Sequence, residues 1–149
     1  MHILMVCLGN ICRSPLAEGI LKEKARAAGL DWHVDSAGTG GWHSGEQPDR
    51  RSIAVARKYG VDISGQRARQ FHPRDFQRFD LIFAMDESNL RDLRRLAPTP
   101  DDAARVRLLL EYAHGSPAEV PDPYYHDDTA FEEVFHLLDA ACGEIMGKL

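Results

Sequence analysis

Two kinds of apolar pattern alternate along the chain. "HILMVC" (2–7) is a short unbroken apolar run closed by a Gly-Asn pair, which predicts a buried strand. Ser14 and Pro15 then read as an N-cap and first helical residue. Leu16, Ala17, Ile20 and Leu21 share one face of that helix, and Gly29 is placed to end it. "WHVDSAGT" (32–39) predicts a second strand, "GTGGWHSGEQP" a Gly-rich loop, and residues 48–59 a helix stopped by Gly60. A third buried strand, "FDLIFAMD" (79–86), leads into a helix over 87–97 that ends before Pro98, and "RVRLLL" (105–110) gives a fourth strand. The last helix opens on a Thr129/Glu132 capping box. Its apolar stripe runs through Phe131, Val134, Phe135, Leu138, Cys142, Ile145 and Met146.

Strand and helix alternate four times, so the economical fold is α/β: a parallel sheet covered by helices on both faces. No repeat, low-complexity tract or linker divides the chain, and residues 1–149 are expected to form one domain. In such sheets ligands bind at the carboxyl ends of the strands, near the switch in strand order. Cys7 ends the first strand, which places the residues after it where a site is expected.

Composition narrows the function classes. With 44% hydrophobic and 28% charged residues, the chain has the make-up of an ordinary globular protein. A net charge of -5 gives no global attraction for nucleic acid or an anionic membrane, so an anionic ligand must be drawn by local charge. Three cysteines are too few and odd in number for a disulfide-stapled fold, which points to a reducing, cytoplasmic setting. The N-terminus enters a strand at once, and no apolar run reaches the roughly 18 residues of a membrane span. The seven histidines show no metal-ligand spacing, "HDD" (126–128) reads as solvated residues leading into the Thr129 cap, and no nucleotide-binding Gly motif appears. Neither metal nor cofactor is expected. The glycines at 38, 40, 41 and 45 are expected to form a mobile wall beside the site.

"VCLGNICRSP" (6–15) carries the chemistry. A loop between a strand and a helix can turn successive backbone N–H groups inward as an anion cradle, here Leu8, Gly9, Asn10, Ile11, Cys12 and Ser14. The helix dipole and Arg13 favour negative charge at its centre, and a guanidinium can hold two phosphate oxygens at once. The same field favours the thiolate form of Cys7, a nucleophile facing phosphorus. Ser14 is placed both to cap the helix and to donate to the departing thiolate.

A long connection, "EYAHGSPAEVPDPYYHDD" (111–128), precedes the last helix, and connections of that length are usually functional or disordered. Asp122 lies pinned between Pro121 and Pro123, in extended backbone rather than in a helix cap. A leaving phenolate, with a parent pKa of about 10, needs a proton donor of this kind.

"CLGNICRS" together with "DPYY" resembles the low-molecular-weight protein tyrosine phosphatases. The likeness extends over nearly the whole chain through "EGIL", "DSAGT", "ARQ" (68–70) and "MDESN" (85–89). With it the expected fold is three-layer αβα, a doubly wound four-stranded parallel sheet in flavodoxin-like order 2-1-3-4. The resemblance implies Cys7 as nucleophile, Arg13 as phosphate clamp, and Asp122 as general acid and then base. Asn10 and Ser36 resemble the pair that supports the loop's strained turn. Trp42, Tyr124 and Tyr125 align with an aromatic rim that favours a phenyl phosphate over a short phosphoserine. The implied partners are phosphotyrosine-containing proteins, with inorganic phosphate as product and inhibitor. His43, Arg50, His114 and His126 are expected as exposed rim residues.

Cys12 can condense with an oxidised Cys7 into a reversible disulfide, or simply fill the back wall of the loop. Cys142 is expected in the core. Two relatives share the loop. Arsenate reductases of this type relay a disulfide through further cysteines, and the segment after strand three has none. Phosphoarginine phosphatases are the runner-up, but they typically carry threonine where this chain has Ile11. A non-catalytic phosphotyrosine-binding module could lose Cys7 or Asp122, and both are present.

Overall fold

The computed structural model describes residues 1–149. Four strands, β1 (His2–Cys7), β2 (His33–Gly38), β3 (Leu81–Ala84) and β4 (Val106–Leu108), form one all-parallel sheet in the order β2-β1-β3-β4. The expected three-layer fold and its strand order are both observed. Around the sheet lie α1 (Arg13–Ala27), α2 (Arg50–Lys58), α3 (Asp75–Arg78), α4 (Glu87–Leu96), α5 (Pro100–Ala104), α6 (Leu109–His114) and α7 (Asp128–Lys148).

Strand alternation sends successive β1 side chains to opposite faces. Ile3, Met5 and Cys7 join the larger core, which α1, α6 and α7 close with Leu16, Ile20, Leu109, Phe131 and Leu138. Leu4 and Val6 enter the smaller core on the other face, with Phe76, Leu90 and Leu93 from α3 and α4. Because both faces are covered, β1 shows no polar alternation, which is why it reads as a continuous apolar run. Gly29 and Gly60, both at positive φ (71° and 83°), end α1 and α2 as expected. Cys142 is fully buried on α7, and burial pushes its thiol up to about 12.

Several local expectations are corrected. Ser14 is not the N-cap of α1: Cys12 holds that position, Ser14 lies in the first turn, and its hydroxyl is engaged elsewhere. The helix expected from 48 starts at Arg50, with the Asp49 side chain accepting from the Arg51 N–H. β4 stops at Leu108, where its pairing with β3 ends, and Leu109 and Leu110 reach the larger core from α6 instead. The one-turn helices α3 and α5 are too short to show a period.

The Thr129/Glu132 capping box does not form either. Asp127 caps α7 by accepting from the Ala130 N–H at 3.3 Å, and Glu132 turns to Lys58 and Tyr59 on α2. Asp127→Ala should therefore lower stability by about 1 kcal/mol in urea denaturation, and Thr129→Ala by less than about 0.5 kcal/mol. A larger loss in Thr129→Ala than in Asp127→Ala would mean that Thr129 is the working cap.

Candidate active site

Cys7 ends β1 opposite Gly38 of β2, and the chain then reverses through residues 8–12 into α1. Ties from outside hold this reversal. The carbonyls of Cys7 and Leu8 each accept at 2.9 Å from Thr39 and Gly40, and the Ile11 carbonyl accepts from the Asp49 N–H at 2.7 Å. With these carbonyls tied back to the surrounding loops, the backbone N–H groups of Leu8 through Ser14 find no acceptor within the protein. The approach is close enough to require glycine at 38, where a Cβ would stand 2.9 Å from the carbonyl oxygens of Leu8 and Gly40.

Asn10 is the sole non-glycine residue at positive φ (58°), a conformation that asparagine tolerates better than most residues. Its side chain fixes the direction of a buried hydrogen-bond chain. An amide N–H can only donate, so the Arg69 N–H requires Asn10 Oδ1 to face it, at 3.0 Å. Asn10 Nδ2 then donates to Ser14 Oγ (2.8 Å) and Ser36 Oγ (3.0 Å). Ser36 sends its own proton to Glu18 Oε1 at 2.6 Å, and Glu18 Oε2 accepts from Lys22 at the same distance. Ser14 is left to donate to Cys7 Sγ, at 3.0 Å. Burial raises the pKa of Glu18 above its ordinary value, against the opposing pull of Lys22 and Ser36.

Arg13 is buried. Its Nη1 donates to Asp86 (2.7 Å) and to the Val120 carbonyl (2.9 Å), and its Nη2 lies 3.7 Å from the Asp122 carboxylate. Burial works against its charge, but Cys7, Asp86 and Asp122 outweigh that cost and hold its pKa above the ordinary value. Asp86 also caps α4 by accepting from the Asn89 N–H. Asp122 faces solvent on one side and accepts from the Tyr124 N–H at 3.1 Å, so it makes a local Asx turn rather than staying merely extended.

These groups meet in a cleft of about 220 Å³. Cys7, Leu8, Gly9, Ile11, Cys12 and Arg13 line it from the loop, Trp42 and His43 from the segment after β2, and Asp122, Tyr124 and Tyr125 from the connection before α7. Trp42 and Tyr125 are 72% and 91% exposed, an apolar rim open to a ligand. Asn10, Ser14 and Ser36 stand behind the cleft as supports. Burial raises the Cys12 pKa, with Asp49 and Cys7 adding to the effect. Of the four expected rim residues only His43 lines the cleft; Arg50, His114 and His126 do not. In the glycine segment the Trp42 ring lies on Gly40 and Gln70 lies against Gly41, while Gly45 has open space around it.

Sequence reasoning missed Glu18, Asp86 and the Arg69 N–H. Asp86 had a usable signal: an acid just past the carboxyl end of the strand beside β1, where ligands gather in such sheets. Glu18 had none, since with Lys22 four residues on it looks like a surface helix pair.

A thiol beside a row of free N–H donors and a buried arginine, on a doubly wound sheet, marks a class of site that receives oxyanions. The family model for low molecular weight phosphotyrosine protein phosphatase matches residues 2–149. A low molecular weight protein-tyrosine-phosphatase of Streptomyces coelicolor is 49% identical over 145 residues, covering 94% of this chain and 88% of the relative. The crystal structure of a low molecular weight protein tyrosine phosphatase from T. tengcongensis superposes with a TM-score of 0.93 at 33% identity, covering 100% of this chain and 99% of that one. Wzb of Vibrio vulnificus, solved in complex with benzylphosphonate, gives 0.88 at 28% identity over 99% of this chain and 98% of its own. The chain belongs to the low molecular weight phosphotyrosine protein phosphatase family, a family of phosphoric monoester hydrolases.

The raised Glu18 pKa has a measurable consequence. The folded protein holds the Glu18 proton to higher pH than the unfolded chain, so this residue's contribution to stability falls as pH rises through that interval. Glutamine at 18 carries no such proton. In urea titrations from pH 4.5 upward, the stability difference between wild type and Glu18→Gln should shift steadily toward the variant. A difference independent of pH would show that Glu18 does not bind its proton more tightly in the folded protein.

Proposed function

We propose that the protein hydrolyses phosphotyrosine in proteins through a cysteinyl-phosphate intermediate, residues 1–149 acting as one phosphatase domain. The observation that carries this reading is the row of unpaired N–H groups from Leu8 to Ser14, curled beside the Cys7 thiol and the Arg13 guanidinium. Those donors and Arg13 fit the equatorial oxygens of a phosphoryl group in transfer. Cys7 Sγ attacks phosphorus as a thiolate, forming an S–P bond while the P–O bond to the tyrosine breaks. Asp122, protonated, gives its proton to the leaving phenolate oxygen. In the second step the Asp122 carboxylate takes a proton from water as the water oxygen attacks phosphorus. The S–P bond breaks, and Ser14 donates to the departing thiolate.

The cleft's composition supports an aryl ester. Ile11, Trp42, Tyr124 and Tyr125 offer apolar contact to a ring, and Ile11 brings no hydroxyl to meet a guanidinium-bearing substrate. The Vibrio relative was solved with benzylphosphonate, a phosphonate that carries a phenyl ring, which agrees with that chemistry. Inorganic phosphate, the product, would occupy the same donors and inhibit. All three cysteines are free thiols, in keeping with action in a reducing compartment such as the cytoplasm, and no helix is long and apolar enough to cross a membrane.

Peptides bearing phosphotyrosine, phosphoarginine or phosphoserine, assayed without added metal, test this. Phosphotyrosine turnover should dominate, vanish in Cys7→Ser, and fall about 10²- to 10³-fold in Asp122→Ala. Preference for phosphoarginine would keep the mechanism and change the substrate. Binding of phosphotyrosine without turnover would make the protein a recognition module.

A further inference from the structure

The segment 121–127 carries Asp122, Tyr124 and Tyr125, yet its own hydrogen bonds are almost all local. The Tyr124 N–H donates to Asp122, and the His126 N–H to the Pro123 carbonyl at 2.9 Å. Proton transfer needs heavy atoms about 2.6–3.2 Å apart, so a general acid on a loosely held loop would be poorly placed. Only one side chain from outside the segment donates to its backbone, and that is Arg51 on α2. Its Nη1 donates to the His126 carbonyl at 2.8 Å and its Nη2 to the Tyr124 carbonyl at 2.9 Å. The guanidinium also lies over the Phe131 ring, 4.3 Å from its centroid, which sets its plane.

Arg51 is itself aimed by Asp49. Its Nε and Nη2 donate to the two Asp49 carboxylate oxygens, each at 3.0 Å. Asp49 in turn donates its backbone N–H to the carbonyl of Ile11 in the phosphate loop. A single strut thus runs from the phosphate loop through Asp49 and Arg51 to the loop that bears the acid. We propose that Arg51 is a positioning residue for leaving-group protonation: it touches no substrate, and it fixes Asp122 relative to the Cys7–Arg13 loop by clamping two carbonyls just beyond it. The inference rests on the reading of Asp122 as general acid. A lysine could not replace this clamp, because one ammonium lacks the planar fork that spans two carbonyls and a carboxylate.

A purely structural strut would affect all substrates alike, whereas a misplaced acid harms those whose leaving group most needs a proton. The test is kcat/KM for aryl phosphates of graded phenol acidity, with wild type, Arg51→Met, Asp49→Asn and, as reference, Asp122→Ala. Methionine removes the donors while keeping an unbranched apolar chain that reaches toward Phe131, and asparagine still caps α2. Arg51→Met should lose about tenfold on phenyl phosphate but less than about threefold on nitrophenyl phosphate and in competitive inhibition by inorganic phosphate. Asp49→Asn should show the same selectivity with a smaller loss, and it decides the question alone if Arg51→Met does not fold. A uniform loss, or none, alongside a steep leaving-group dependence in Asp122→Ala would overturn the role of Arg51 and leave the acid standing. No leaving-group dependence in Asp122→Ala would overturn both.

Discussion

A run of backbone N–H groups with no acceptor does not persist on its own, since local turns would pair it within the chain. The fold meets this constraint by tying down the other half of each peptide. The outward carbonyls of Cys7, Leu8 and Ile11 are taken by Thr39, Gly40 and Asp49, which come from the ends of two other elements. That arrangement explains why β1 is central. A loop following an edge strand would have neighbours on one side only, whereas β1 is flanked by β2, which ends on Gly38, and β3, which is followed by Asp86. The left-handed turn at Asn10 is a local strain accepted for the same end, offset by the three hydrogen bonds that its side chain makes.

Charge burial is handled in the same spirit. A buried arginine without partners would be strongly destabilising, and a permanent ion pair would block its use. Arg13 is anchored by Nη1 on Asp86 and the Val120 carbonyl, while Nη2 stands 3.7 Å from Asp122, longer than a hydrogen bond. One end of the guanidinium is therefore structural and the other remains available. On the far side of the loop, Glu18 is the terminal acceptor that allows Ser36 to receive from Asn10 and so leaves Ser14 free to face the thiol.

The strands were legible because they are buried on both faces, so β1 and β3 stand out as apolar runs whatever their neighbours. Their lengths were less legible. Leu109 and Leu110 continue an apolar run, and apolarity reports burial without saying whether a strand or a helix delivers it. Ser14 shows a different failure. Ser-Pro carries the local signature of a cap, but Cys7 and Asn10 claim the hydroxyl, and those partners exist only once the loop has closed. At α7, Asp127 takes the capping position expected of Thr129, and the helix starts two residues earlier than the capping-box signature implies. Among the residues that line the cleft, those of the Cys7–Arg13 loop and Asp122 were readable from type and spacing, whereas Trp42, Tyr124 and Tyr125 were reached only through the family resemblance. Glu18, Asp86 and Arg69 act through partners distant in sequence, and only Asp86, just past the carboxyl end of the strand beside β1, carried a positional signal.

The three layers of support share a logic. Asn10 and Glu18 direct hydrogen bonds toward Cys7, Asp86 steadies Arg13, and Asp49 with Arg51 ties the Asp122 segment to the same loop. Each uses a carboxylate on a helix: Glu18 lies within α1, Asp86 is the cap of α4, and Asp49 the cap of α2. The two caps are fixed at the start of rigid elements, where the first-turn N–H groups already hold an acid in place. A carboxylate anchored in that way can orient a second group at little further entropic cost. The sheet thus delivers the Cys7 thiol, and the helix starts around its carboxyl edge deliver the groups that aim the rest of the site at it.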